Sequence, residues 1–231
     1  MTQQTYLSRS NRFLAAFDNS LSRVTPLLLE WLGERQATHV LRESRQEYEA
    51  LIPRIPFIGT GNPMLWLLLP TTRYLAVYRG LQTQGRGIED AGRLAFAMAT
   101  ADAEAIPPFA RRIIPHLWFS PWFRGRISRR ATASVQRKFP GDYLLTYVPG
   151  DGRTFDYGVD YIECASCKLL HAENTPELAP YVCATDKPTS ELLGWGLTRT
   201  MTLAEGSAKC DFRFKKGGTT RVEIPQSLVG H

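Results

Sequence analysis

A chain of 231 residues, 43% of them hydrophobic, can bury a core that needs no disulfide or metal staple. Its net charge of +6 at pH 7 is a mild excess, which suits an acidic small ligand better than nucleic acid. No zinc-finger spacing or aromatic RNA-binding strand motif is present either.

The opening stretch Met1–Ser10 is polar and carries no apolar signal core. The strongest apolar run, Met64–Leu69, is stopped by Pro70, far short of the roughly 20 residues a membrane span needs. The expectation is a soluble, cytoplasmic protein. From Leu7 to Leu32, Phe13, Leu14, Phe17, Leu21, Val24, Leu28 and Leu32 recur at helical period, with a break expected before Pro26. A second amphipathic stretch covers Arg42–Leu51. Thr71–Leu81 reads as a buried helix with Pro70 at its start. In Gly87–Ala105, Ile88, Ala91, Leu94, Ala95, Met98 and Ala99 form one stripe. Glu89 and Asp90 sit in the first turn, where they complement the helix dipole.

Ala110–Lys138 is strongly basic: Arg111, Arg112, Arg124, Arg126, Arg129, Arg130, Arg137 and Lys138, with no acid, interleaved with Trp118, Phe119, Trp122 and Phe123. Arginines flanking tryptophans suit a membrane headgroup zone. A partly buried helix pair with a solvated basic edge accounts for the same pattern and is the expectation from sequence, since charge runs usually face solvent.

The pattern changes near Pro140. Asp142–Val148 alternates, Pro149–Gly152 forms a turn, and Phe155, Tyr157, Val159 and Tyr161 fall at period two, so Thr154–Ile162 is expected to be a strand. A short helix carrying Cys164, Cys167 and His171 follows, with further short helices at Pro176–Cys183 and Thr189–Leu193. Leu197–Ala204 and Ala208–Lys215 then read as a hairpin. The fold class is α+β. A single domain over 1–231 divides into a mainly helical half (1–139), a sheet and site half (140–216) and a tail (217–231).

In the last strand Cys210, Phe212 and Phe214 share one face, and Lys209, Asp211, Arg213 and Lys215 share the other. Facing that aromatic row and the row Leu197, Arg199, Met201, Leu203 inward together requires an even-length loop. A two-residue turn at Glu205-Gly206 or Gly206-Ser207 satisfies this, with Gly206 at positive φ. Arg199 then points inward near Cys210 or Phe212. A buried guanidinium needs an anion: a protein carboxylate such as Asp186 or Glu163, or a substrate carboxylate.

All four cysteines lie after residue 160. Cys164, Cys167 and His171 at i, i+3 and i+7 share a helix face, and Cys183 and Asp186 are again three apart. Two chemistries fit: a thiolate nucleophile with Asp186 or His171 moving protons, or a metal held by groups from Cys167, Cys183, Cys210 and His171 that activates water. Cys164, at the strand–helix junction, reads as packing.

The runs Cys167, Cys183-Ala-Thr-Asp186, Arg199-Thr-Met-Thr-Leu-Ala-Glu-Gly206 and Cys210-Asp-Phe-Arg-Phe214, with Tyr78-Arg-Gly-Leu81 and Gly87-Ile-Glu-Asp-Ala91 upstream, carry a resemblance. Over residues 65–215 the chain resembles the L-2-amino-thiazoline-4-carboxylic acid hydrolase family. Its glycine-to-cysteine ending is similar, more faintly, to vinyl reductase–type ligand-binding domains. The first resemblance implies opening of a 2-aminothiazoline ring: water adds at the amidine-like carbon and the ring sulfur leaves. It implies Cys167, Cys183 or Cys210 as thiol, Asp186 as acid and base, and Arg199 as clamp for the substrate carboxylate, with Asp211 a further substrate-binding candidate; Cys167, Cys183, Asp186, Arg199 and Cys210 are expected to converge on one pocket. The expected function is a hydrolase of the non-peptide C–N class acting on a small cyclic substrate that bears a carboxylate. The alternative is a non-catalytic ligand- or metal-binding module. No particular cofactor is implied, and a divalent metal stays open.

Overall fold

The computed structural model describes residues 4–229. The first half is helical: α1 (Gln4–Leu7), α2 (Ser10–Leu32), α3 (Glu34–Leu51), α4 (Leu65–Gln82), α5 (Ile88–Glu104), α6 (Pro108–Trp118) and α7 (Pro121–Ser134). The second half holds β1 (Leu144–Pro149), β2 (Tyr157–Glu163), α8 (Ala165–Ala172), α9 (Ala179–Ala184), α10 (Asp186–Leu193), β3 (Leu197–Arg199), β4 (Cys210–Phe214) and β5 (Arg221–Val222). The class is α+β, as expected.

The helical stripes bury as their periods require. In α2, Phe13, Phe17, Leu21, Val24 and Leu28 face the core, and Phe17 stacks on Tyr48 of α3 at 4.4 Å. The α5 stripe of Ala91, Leu94, Ala95, Met98 and Ala99 is buried throughout. Two expected breaks do not occur. Pro26 lies inside α2, and Pro70 inside α4 rather than at its start. A proline leaves one carbonyl of the preceding turn without its amide. Nearby hydroxyls supply other bonds to this region: Thr25 donates to the carbonyl of Leu21, and Thr71 and Thr72 to those of Leu67 and Leu68. Core packing then carries the helices through.

The sheet runs β1-β2-β4-β3-β5, antiparallel except for the β3–β5 pair. In its register Tyr161 lies opposite Cys210, Val159 opposite Phe212 and Tyr157 opposite Phe214. These side chains form the inner, helix-facing surface. On the outer face Asp160 accepts from Lys209 at 2.6 Å and from Arg213 at 2.8 Å.

The tight hairpin is a correction. β3 and β4 pair with Leu197 opposite Phe214, so the expected even parity holds. Residues 200–209, however, form a longer loop with a 3₁₀ turn at Leu203–Glu205. Asp211 pins that loop by accepting from the backbone amides of Thr200 and Met201, and Thr202 caps the turn through the amide of Glu205. Gly206 does take positive φ, at 83°, but to end the 3₁₀ turn. Residues 217–231 are not a mere tail either. β5 extends the sheet beside β3, and Leu228 is buried; residues 230 and 231 lie outside the described residues, as do residues 1–3 of the polar opening stretch.

Candidate active site

A cavity of about 760 Å³ lies between the helical half and the inner face of the sheet. Its walls come from α4, the end of α5, the α6–α7 pair, β2, β4, the start of α8, the end of α9 and α10. Two zones differ in chemistry.

The first zone holds sulfur and acid. Cys164, Cys183, Cys210 and Asp186 all line it, with Tyr161 and Tyr143. The three sulfurs and the carboxylate lie close enough to act on one another: Asp186, Cys164 and Cys210 all add to the burial that pushes the Cys183 thiol well up. Cys210 is raised to about 11, chiefly by burial, although its sulfur accepts from the Leu203 amide at 3.2 Å. At neutral pH both thiols keep their protons.

Cys164 is different. It is the N-cap residue of α8 and makes no close capping hydrogen bond there. The Cys167 thiol nevertheless donates towards it, and the amides of Cys167 and Ser166 at the helix start favour the anion. Together they hold the Cys164 thiol below its usual range despite burial, while Cys167 is driven up as the partner that keeps the shared proton. A depressed thiol at a helix N-terminus is a nucleophile's environment. Ser166 is itself fixed, accepting from Thr71 at 2.8 Å and pairing with the Tyr143 hydroxyl at 3.1 Å.

Asp186 opens α10 and is raised to about 6: burial dominates, and the charge and hydrogen bond of Arg199 oppose it. Arg199, only 4% exposed, donates to Asp186 at 2.5 Å and to the Cys183 carbonyl at 3.1 Å. Its guanidinium also lies 5.4 Å over the Phe212 ring. Burial works against the Arg199 charge, but Asp186 with the neighbouring thiols keeps its pKa above the ordinary value.

The second zone is aromatic. Trp118 stacks on Trp195 at 4.3 Å, and Trp66 meets both edge-on. Phe123, Trp122 and Phe212 extend the wall, with Arg126 beside Trp122 at 5.1 Å. The α6–α7 segment therefore serves as a cavity wall as well as a basic edge.

Of the residues singled out in the sequence, Cys183, Asp186 and Cys210 meet on the cavity. Cys167 stands behind Cys164 instead of lining it. Cys164, set aside as packing, faces the cavity. Arg199 points inward as expected but is occupied by Asp186, not turned to the cavity as a substrate clamp. Glu163 pairs instead with Lys168 and Arg137. Asp211 is spent on the loop backbone, where hydrogen bonds from Thr200 and Met201 outweigh burial and hold its pKa down. His171 is exposed and does not line the cavity. Among the described residues no group of three or more His, Cys, Asp and Glu side chains is placed to hold a metal ion, so the proposed four-ligand set is not assembled.

The model of the L-2-amino-thiazoline-4-carboxylic acid hydrolase family matches residues 76–214, more than half of the chain. The chain belongs to this family. The family segment begins inside α4 and ends with β4, so it contains all four cysteines, Asp186, Arg199 and the α6–α7 wall. The wall from Trp66 to Tyr74 lies before it. No curated protein and no solved structure matches the chain.

Proposed function

We propose that this family member is a hydrolase that opens a cyclic, amidine-like ring bearing a carboxylate, of the 2-aminothiazoline type, with Cys164 as nucleophile and Asp186 as acid and base. The observation that carries this reading is that a thiol at a helix N-terminus and a carboxylate backed by a buried arginine line the same cavity.

The chemistry follows from those positions. The Cys164 thiolate adds to the amidine-type carbon. The ring carbon–sulfur bond breaks, its electron pair stays on the ring sulfur, and Asp186 in its acid form protonates that sulfur. The substrate is then an isothiourea on Cys164. Asp186, now a carboxylate, takes a proton from water as the water oxygen adds to the same carbon. The Cys164 sulfur leaves with its electron pair and a carbamoyl product is released. An acid near pH 6 suits both roles, because each half needs the opposite protonation state at neutral pH.

Arg126 is the cation among the cavity-lining residues, and it has no ion pair among the described residues. It replaces Arg199 as the partner for a substrate carboxylate. A cavity of about 760 Å³ is drug-sized and has an aromatic wall. This supports a substrate whose ring carries a larger apolar body than a bare thiazoline carboxylate.

The test is turnover of 2-aminothiazoline-4-carboxylate and of an aryl-substituted analogue, followed by thiol release and product mass. Higher kcat/KM for the aryl analogue is expected. Cys164→Ala should lower turnover by about 1,000-fold or more. Full activity in both Cys164→Ala and Cys164→Ser would remove the covalent route. Tight binding without turnover by the native protein would instead identify a ligand-binding module.

A further inference from the structure

Helix α6 contains no buried residue. Its inward side supplies Ile114 and Trp118 to the cavity wall. Its outward side reads Phe109, Arg112, Ile113, His116, Leu117, the i, i+3, i+4, i+7, i+8 spacing of a single helix face. Phe109, Ile113 and Leu117 are 68%, 52% and 59% exposed. On α7, Trp122 is 65% exposed, with Arg126 beside it and Arg129 exposed one turn further on.

Charge says what covers this face. Residues 110–138 contain no Asp or Glu. Arg130 and Arg137 are neutralised from outside the segment by Asp142 and Glu163. Arg112, Arg124, Arg126 and Arg129 have no ion pair among the described residues. Large apolar side chains in water, ringed by unpaired cations of one sign, match a partner with an apolar interior and an anionic rim. A bilayer of acidic lipids has both. A helix lying flat would sink Phe109, Ile113 and Leu117 below the headgroups and leave Arg112 and His116 level with the phosphates. Among the described residues no helix is long and apolar enough to cross a membrane, so the contact proposed is with the surface.

We infer that the outer face of α6 and α7 docks this protein on an anionic lipid surface, with the apolar stripe Phe109–Ile113–Leu117 inserted and Arg112 and Arg129, both exposed and outside the cavity lining, on the headgroups. The same two helices supply Ile114, Trp118, Trp122, Phe123 and Arg126 to the cavity wall, so the docking face and the site share one helix pair.

The experiment is co-sedimentation of the intact protein with vesicles of phosphatidylcholine alone and of equal parts phosphatidylcholine and phosphatidylserine, at low and high salt. Binding is expected only to the mixed vesicles, weakened at high salt. Two variants, Ile113→Glu with Leu117→Glu, and Arg112→Glu with Arg129→Glu, should each lose at least about tenfold in binding. None of these four residues lines the cavity, so circular dichroism and turnover of a soluble substrate should stay native. A native protein that remains in the supernatant with mixed vesicles overturns the inference, as does undiminished binding by both variants. A concentration-dependent dimer, abolished by the Ile113/Leu117 variant and accompanied by no vesicle binding, would assign the face to a second copy and equally overturn it.

Discussion

The Arg199 guanidinium sits behind Asp186, donating to it at 2.5 Å from a nearly sealed position above Phe212. The pair has one open side, since Asp186 touches the cavity and Arg199 does not. Arg199 thus acts on the reaction through Asp186, as a positioning residue.

Breaking this pair from either side should be expensive. Asp186→Asn leaves a buried cation without its counter-charge and should cost about 3–5 kcal/mol. Arg199→Lys keeps the charge but loses the planar contact with Phe212 and the geometry that reaches both Asp186 and the Cys183 carbonyl, at roughly 1–2 kcal/mol. The double change Asp186→Asn with Arg199→Met should cost less than the two single changes added. Urea unfolding of the four proteins measures this; strict additivity would mean that the two side chains do not depend on each other.

Asp186 also sets a pH dependence. Its folded pKa, about 6, lies above the ordinary carboxylate value of 3.8. Ionisation is therefore harder in the folded state. The group's relative stabilisation is complete below about pH 4 and is lost as pH rises through about 6, by at most about 3 kcal/mol. The 27% exposure of the Asp186 side chain reduces that figure by screening. In kinetics, kcat/KM should rise as Cys164 deprotonates and fall as Asp186 loses its acid proton. Asp186→Asn should erase the descending limb. If that limb persists at the same pH in the variant, another group provides the acid.

Reactivity should separate the cysteines. Brief treatment with iodoacetamide at pH 7 should label Cys164 first, since Cys183 and Cys210 keep their protons and Cys167 is the proton-holding partner. Cys167→Ala should slow labelling of Cys164 at pH 7 by about tenfold, because the thiolate loses a hydrogen-bond donor. Cys210→Ala should cost on the order of 1 kcal/mol and leave Cys164 labelling unchanged. Peptide mass mapping reads all three, and preferential labelling of Cys183 or Cys210 would move the nucleophile.

The helical scaffold has its own test. Gly80 of α4 faces α3, where an added Cβ would lie 2.2 Å from the Ser44 hydroxyl and 3.0 Å from the Val40 carbonyl. Backbone on one side leaves no room to yield. Gly80→Ala should destabilise by about 1–3 kcal/mol despite alanine's better helix propensity. Thermal unfolding that matches or exceeds the native midpoint would show that α3 and α4 can separate without loss.

Local pattern determined much of this protein. The stripe of α5 and the alternation Cys210, Phe212, Phe214 each reported a buried face, because helix and strand periods dictate which side chains point together. Parity alone turned Arg199 inward, and a buried cation's need for an anion made Asp186 a partner that the sequence itself offers. The same reasoning left substrate and Asp186 as rival partners, since it sees the demand for a charge and not its source. Tertiary structure decided what depends on non-local neighbours. Pro26 and Pro70 stay within helices because packing outweighs one lost backbone hydrogen bond. Asp211 holds a loop because Thr200 and Met201 fold back towards it. Cys164 and Cys167 divide their roles at the turn from β2 into α8: where the strand ends and the helix begins decides which sulfur receives the amides and faces the cavity, and that boundary is set by the packing of sheet against helices.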